Sequence, residues 1–117
     1  MNIETFRDFC IEMKGVTEEF PFDQNTLVFK VMGKMFALTN LDQFTSVNLK
    51  CLPETGVELR ERFPAVLPGY HMNKRHWITV MIDGSIPDNL LKEWILESYN
   101  LVTKSLTKSQ KSTLESL

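Results

Sequence analysis

Several features that would mark particular function classes are scarce in this chain. It has two cysteines in 117 residues, Cys10 and Cys51. They lie far apart in no metal-type spacing, which argues against a disulfide framework or a zinc knuckle and for reduced, buried thiols. No apolar run approaches the ~20 residues that cross a bilayer. Met1-Asn2-Ile3-Glu4 offers no basic region followed by an apolar one, so no secretory signal is expected and the cytoplasm is the default compartment. Charge of either sign is not in excess: 13 cations oppose 15 acids for a net charge of -2. A dedicated nucleic-acid binder usually shows a stronger basic bias. There is no Walker loop, no paired glycine fingerprint, no Gly-x-Ser-x-Gly elbow and no His-Glu-x-x-His. The chain is therefore expected to be non-enzymatic, with no cofactor, no metal, no membrane partner and no evident small-molecule substrate. A monomer is the default.

What is present fits one soluble globular domain, with 43% apolar and 24% charged residues. The charge is unevenly spread. Residues 1–26 carry two cations and six acids, residues 27–82 seven cations and four acids, and residues 83–117 four cations and five acids. The middle of the chain is the basic part, which suits an anionic partner without demanding one.

Periodicity divides the chain into helix, strands, helix, strand and helix. Ile3, Phe6, Cys10 and Met13 recur at helical spacing after Asn2, a good cap, and Gly15 ends the run. Residues 27–31 and 35–39 read as a hairpin turning at Gly33 and Lys34. In that pairing Leu27, Phe29, Val31, Phe36 and Leu38 share one side, and Val28, Lys30, Met35, Ala37 and Thr39 the other. A third strand covers residues 45–50. Thr55 and Glu58 resemble a capping box for a short helix ending at Arg62. A loop over residues 64–75 precedes a fourth strand, 76–82. Pro87 opens a last helix running from about Asp88 past Val102. These pieces predict an α+β fold: a two-layer sandwich, an antiparallel sheet with helices packed on one face. The other sheet face would carry Lys30, Ser46, Asn48, Lys50, Trp77 and Thr79. Residues 1–106 form the expected domain, and residues 107–117, rich in Ser, Thr and Lys, a flexible tail.

The run Pro68-Gly69-Tyr70-His71-Met72-Asn73-Lys74-Arg75-His76-Trp77 concentrates both histidines, one tryptophan, one tyrosine and two adjacent cations. Cations hold phosphates, and aromatic rings offer stacking faces to bases. Against this stands a structural reading, with Trp77 as a packing anchor and Lys74 and Arg75 solvating a turn. His71 and His76 as a metal pair lack a local carboxylate to complete the set. Cys51 could pair with a histidine as nucleophile and base, but nothing in the sequence brings them together. Glu4, Asp8 and Glu12 form an acidic stripe, which is most often the solvated side of an amphipathic helix.

The same run, followed by Ile78-Thr79-Val80, resembles the signature of the MmcQ/YjbR family of small bacterial proteins. The likeness extends to Phe20-Pro21-Phe22-Asp23, Thr26-Leu27-Val28-Phe29-Lys30-Val31, Gly33-Lys34-Met35-Phe36-Ala37 and Val47-Asn48-Leu49-Lys50-Cys51. Asp83-Gly84-Ser85-Ile86-Pro87 and Ser98-Tyr99-Asn100-Leu101-Val102 carry it to about Leu106. The resemblance implies a fold like that of the bacterial frataxin homologue CyaY, and DNA binding through a proposed double-wing arrangement. DNA is accordingly the expected partner. Lys30, Lys34, Lys50, Lys74 and Arg75 would contact phosphates, and His71, Asn73, His76 and Trp77 would add hydrogen bonds or stacking. The alternatives are a frataxin-like, iron-handling protein using the acidic first helix, and a protein-interaction module using the open sheet face.

Overall fold

A computed structural model describes residues 1–69 and 72–117. Tyr70 and His71, and with them the role expected of His71, lie outside the described residues.

The element order is α1 (Ile3–Glu12), β1 (Val16–Glu19), β2 (Thr26–Val31), β3 (Lys34–Asn40), β4 (Ser46–Lys50), α2 (Pro53–Arg62), β5 (Val66–Pro68), β6 (Trp77–Met81), α3 (Asp88–Lys104) and α4 (Lys108–Glu115). The strands form one antiparallel sheet in the order β1-β2-β3-β4-β6-β5. Four helices pack on it, so the expected α+β two-layer class is the observed one. No helix among the described residues is long and apolar enough to cross a membrane.

Cross-strand neighbours share a face, and the register therefore assigns each residue a side. Leu27, Thr39, Val47, Val80 and Val66 form one row, and Phe29, Ala37, Leu49, Ile78 and Pro68 the next. Apart from Pro68, which is exposed, and Thr39, a buried polar residue, these rows meet Phe6 and Cys10 of α1, Leu59 of α2, Leu91, Trp94, Ile95 and Val102 of α3 and Leu114 of α4 in one core. Phe6 meets Phe29 edge-on at 5.6 Å between ring centroids, and Phe63 meets Trp94 at 5.2 Å.

The hairpin between β2 and β3 departs from the expected pairing. Its tip is Met32 and Gly33, both at positive φ, rather than Gly33 and Lys34. Phe29 pairs with Ala37 but Lys30 pairs with Met35, so Phe36 is an extra residue, a β-bulge. Phe36 turns to the helices, where its ring meets Tyr99 edge-on at 5.5 Å. Beyond the bulge the phase is reversed. Ala37 and Thr39 join the core side, and Leu38 moves to the other face beside Val28 and Asn48.

The bulge leaves a backbone carbonyl to satisfy. Ser98 of α3, fully buried, donates its hydroxyl proton to Phe36 O at 2.5 Å and accepts from the Lys50 N–H at 2.9 Å. One side chain thus joins helix, bulge and the end of β4.

Four other elements differ from expectation. α2 starts at Pro53 behind Leu52 with no side-chain cap, so Thr55 and Glu58 do not form the expected box. β5 is a strand where a loop was expected, and β1 is a strand in a stretch for which no element was expected. The stretch expected as a tail, 107–117, contains α4. Thr107 and Gln110 make a reciprocal capping box for α4, and Leu114 is buried. Leu114 sits over the turn after α1, where Gly15 has φ +73°. A Cβ at Gly15 would lie 2.5 Å from Leu114 Cδ1, so this turn needs glycine for both its conformation and its closeness. Lys14 Nζ also donates to Glu115 O at 2.8 Å.

Candidate ligand-binding face

The second sheet face carries the residues expected of it: Lys30 opposite Met35, Asn48 opposite Thr79, Lys50 opposite Trp77 and Ser46 opposite Met81. It is less open than the strand pattern suggests. Trp77 is 7% exposed, Thr79 2% and Val28 0%. Trp77 is thus a buried wall in this structure, with little ring surface left for stacking a ligand.

Of the connection from β5 to β6, Gly69 and residues 72–76 are described, and Gly69, Met72 and Asn73 lie against the sheet. Gly69 N–H donates to Trp77 O at 3.1 Å. A Cβ on Gly69 would stand 2.7 Å from Trp77 Cβ, so only glycine lets the chain pass this close. Met72 and Asn73 reach back across the sheet and line a cavity with residues of β2, β3 and β4. Asn73 Oδ1 accepts from Arg75 N–H at 2.9 Å, and Asn73 O accepts from His76 N–H at 3.1 Å. These two bonds make a tight turn that holds Lys74, Arg75 and His76 exposed.

The cavity measures about 550 Å³, within the size range of small-molecule sites. Met35, Leu38 and Met72 give it an apolar floor, and Phe22, 64% exposed, stands at its rim. Thr26, Ser46, Asn40, Asn48 and Asn73 supply neutral polar groups. Asp23 is the one charged side chain among its described lining residues. That carboxylate accepts from Asn25 N–H, Thr26 N–H and the Thr26 hydroxyl, and these bonds hold its pKa below the usual aspartate value.

The expected phosphate-contacting cations do not form one set. Lys30 pairs with Glu19 at 3.6 Å. Lys34 donates to Ser105 O and Oγ at 3.3 Å, at the C-terminal end of α3. Lys50 is half-buried on the second face, and Lys74 and Arg75 share the exposed turn. Neither Lys74 nor Arg75 makes an ion pair among the described residues.

A smaller cavity, about 380 Å³, lies in the helix layer between β4, α2 and α3. Cys51, Leu59, Trp94, Glu97 and Lys104 are among its walls. Burial pushes the Cys51 thiol above its usual pKa, against the opposing pull of Arg60. The buried Cys10 thiol is raised by desolvation as well. A raised thiol is a poor nucleophile at neutral pH. Cys51 N–H donates to His76 O at 2.9 Å, a backbone link rather than a pairing of thiol and imidazole. Among the described residues no group of three or more His, Cys, Asp or Glu could hold a metal ion. Glu4, Asp8 and Glu12 lie exposed along α1.

Sequence reasoning singled out Asn73, Lys74, Arg75 and the second-face residues but did not foresee Leu38, Asn40, Phe22 and Asp23 as neighbours of Met72 and Asn73. The bulge hid Leu38. Phe22 and Asp23 lie in the β1–β2 connection, and no spacing rule links a loop there to one fifty residues away.

Known proteins sharpen this description. Residues 11–101 match the family model named YjbR. The chain is 38% identical to YbdF of Escherichia coli O157:H7 over 106 residues, which span 90% of this chain and 87% of that protein. It is 30% identical to YjbR of Escherichia coli K12 over the whole of both chains. Among solved structures, one of a Deinococcus radiodurans protein with the DUF419 family domain is 45% identical. It superposes with a TM-score of 0.91, covering 97% of this chain and 88% of that one. A Pseudomonas syringae protein, 29% identical, superposes at 0.73, covering 86% of this chain and 98% of that one. The fold is therefore shared with these solved structures, and the chain belongs to the YjbR family.

Proposed function

We propose that this chain is a small, non-enzymatic DNA-binding protein whose phosphate contacts centre on Lys74 and Arg75. The observation that carries the reading is the turn itself. Two adjacent cations stand exposed, without internal ion pairs among the described residues, on a loop fixed by Asn73. Lys50 pairs with Trp77, the residue that follows His76, which supports including both in that contact. Lys30 and Lys34 have internal partners, and they contribute less. A non-enzymatic role is supported by the absence of a catalytic motif and by two thiols held protonated by burial.

Each phosphate neutralised contributes about -0.9 to the slope of log K against log salt. Contacts from Lys50, Lys74 and Arg75 give an expected slope of about -3. Replacing Lys74 and Arg75 together with alanine should flatten it to about -1 and weaken binding at every DNA sequence. A salt titration by fluorescence anisotropy measures both. An unchanged affinity and slope in the double variant would remove this site from the interface.

A further inference from the structure

We infer that the cavity on the second sheet face receives an unpaired nucleobase, while the adjoining phosphate rests on Lys74 and Arg75. This inference rests on the DNA reading above and assigns the pocket a part in it.

Charge comes first. With Asp23 as the one charged residue and no cation among its described lining residues, the cavity repels phosphate and accepts a neutral group. Its floor of Met35, Leu38 and Met72 suits a flat apolar surface, because thioethers pack adaptably against aromatic rings. The exposed Phe22 ring at the rim adds a second such surface.

Hydrogen bonding then narrows the ligand. Three asparagines line the cavity, and each has its amide oxygen already in use. Asn40 Oδ1 accepts from Asp42 N–H at 2.9 Å and Gln43 N–H at 3.1 Å. Asn48 Oδ1 accepts from the Thr79 hydroxyl at 2.5 Å. Asn73 Oδ1 accepts from Arg75 N–H. Those bonds fix the orientation of the amides and leave the NH₂ groups as the donors on offer. Such a site wants a planar molecule rich in carbonyl acceptors. Among nucleobases thymine, with two ring carbonyls, meets that demand best.

Position joins the two halves of the ligand. Asn73 lines the cavity, and Lys74 and Arg75 follow it directly on the exposed turn. A base in the cavity and a phosphate on the turn are the two ends of one nucleotide. Within a duplex the base edge is paired and its faces are stacked, so only a base out of the stack can enter.

The test compares a single-stranded oligothymidine, a single-stranded oligodeoxyadenosine and a duplex of the same length, by anisotropy at fixed salt. Single-stranded thymidine should bind about tenfold or more tighter than the duplex, as a few added hydrogen bonds allow. Asn48→Asp keeps the oxygen that Thr79 holds and removes the donor; Asn40→Asp does the same at the oxygen held by the Asp42 and Gln43 N–H groups. Each should erase most of the single-strand and thymine preference while moving duplex affinity far less. Circular dichroism and a melting curve confirm that the variants are folded. A preference that survives both substitutions overturns the pocket assignment. So does an equal loss on single strand and duplex, which would be simple charge repulsion, and either result leaves the basic turn in place. Failure of every DNA form to bind removes the pocket and the basic turn together.

Discussion

Removing the Ser98 hydroxyl tests how the sheet is joined to its helices. In Ser98→Ala the loss is two bonds from a fully buried residue. Phe36 O, at the bulge, loses its donor, and a buried acceptor left without a partner costs about 1–3 kcal/mol. The Lys50 N–H, only partly buried, loses its acceptor at a cost of about 0.5–1.5 kcal/mol. The methyl that remains fills nearly the same space, so the cavity contribution is small. The expected loss is therefore about 2–4 kcal/mol, a large share of a small domain's stability.

Urea unfolding followed by tryptophan fluorescence measures it. With an m-value near 1–3 kcal/mol/M, the midpoint should fall by about 1–2 M at unchanged slope. A loss below about 1 kcal/mol at the wild-type slope would refute the reasoning. It would mean that water or a small backbone shift satisfies Phe36 O, and that the bulge does not depend on α3.

Gly15→Ala should destabilise by about 1–3 kcal/mol, because its φ of +73° strains an alanine and its Cβ would collide with Leu114; thermal melts read this, and Leu114→Ala in the same background should relieve part of it. Glu97→Gln should stabilise by about a few tenths of a kcal/mol at pH 7, discounted for solvent screening. Burial and then Glu93 raise the Glu97 pKa, so the folded state carries the cost of its charge at neutral pH. Wild type recovers as pH falls through that raised value, and the variant's advantage should disappear below the ordinary glutamate pKa of about 4.3. Cys10 and Cys51 should resist a thiol reagent in the native protein at neutral pH and react at ordinary rates in denaturant, with Cys10 the slower.

Much of this fold is legible in the sequence where a pattern repeats. The alternation in β2, β4 and β6 assigns core and second face correctly, and the Asn2 cap and Pro87 bracket α1 and α3. Isolated features are what the pattern hides. A bulge is a single extra residue, and nothing local distinguishes Phe36 from the next step in an ordinary alternation. β1 reads Val-Thr-Glu-Glu and β5 ends in proline, neither of which has the composition of a strand. Their places come from neighbours already in the sheet. α4 did carry a signal, since Thr107 followed by Gln110 is a capping pair. Its single buried leucine makes no periodic apolar face, and the close approach of Leu114 to Gly15 has no sequence signal. At the candidate site the residue types of the Asn73–His76 turn are legible. The cavity is not, because it is made where two loops distant in sequence converge on a face whose phase the bulge sets.

That bulge also restricts how this protein can change. Phe36 lets one strand feed the hydrophobic core with Ala37 and Thr39 and floor the cavity with Leu38. Deleting a single residue there would exchange the two sets, sending leucine into space shaped for alanine and threonine and leaving the cavity without its floor. Descendants of this chain can therefore retune the cavity one side chain at a time by substitution. A one-residue deletion in β3 would damage cavity and core in the same event, so the shape of the cavity and the folding of the chain are coupled along this strand.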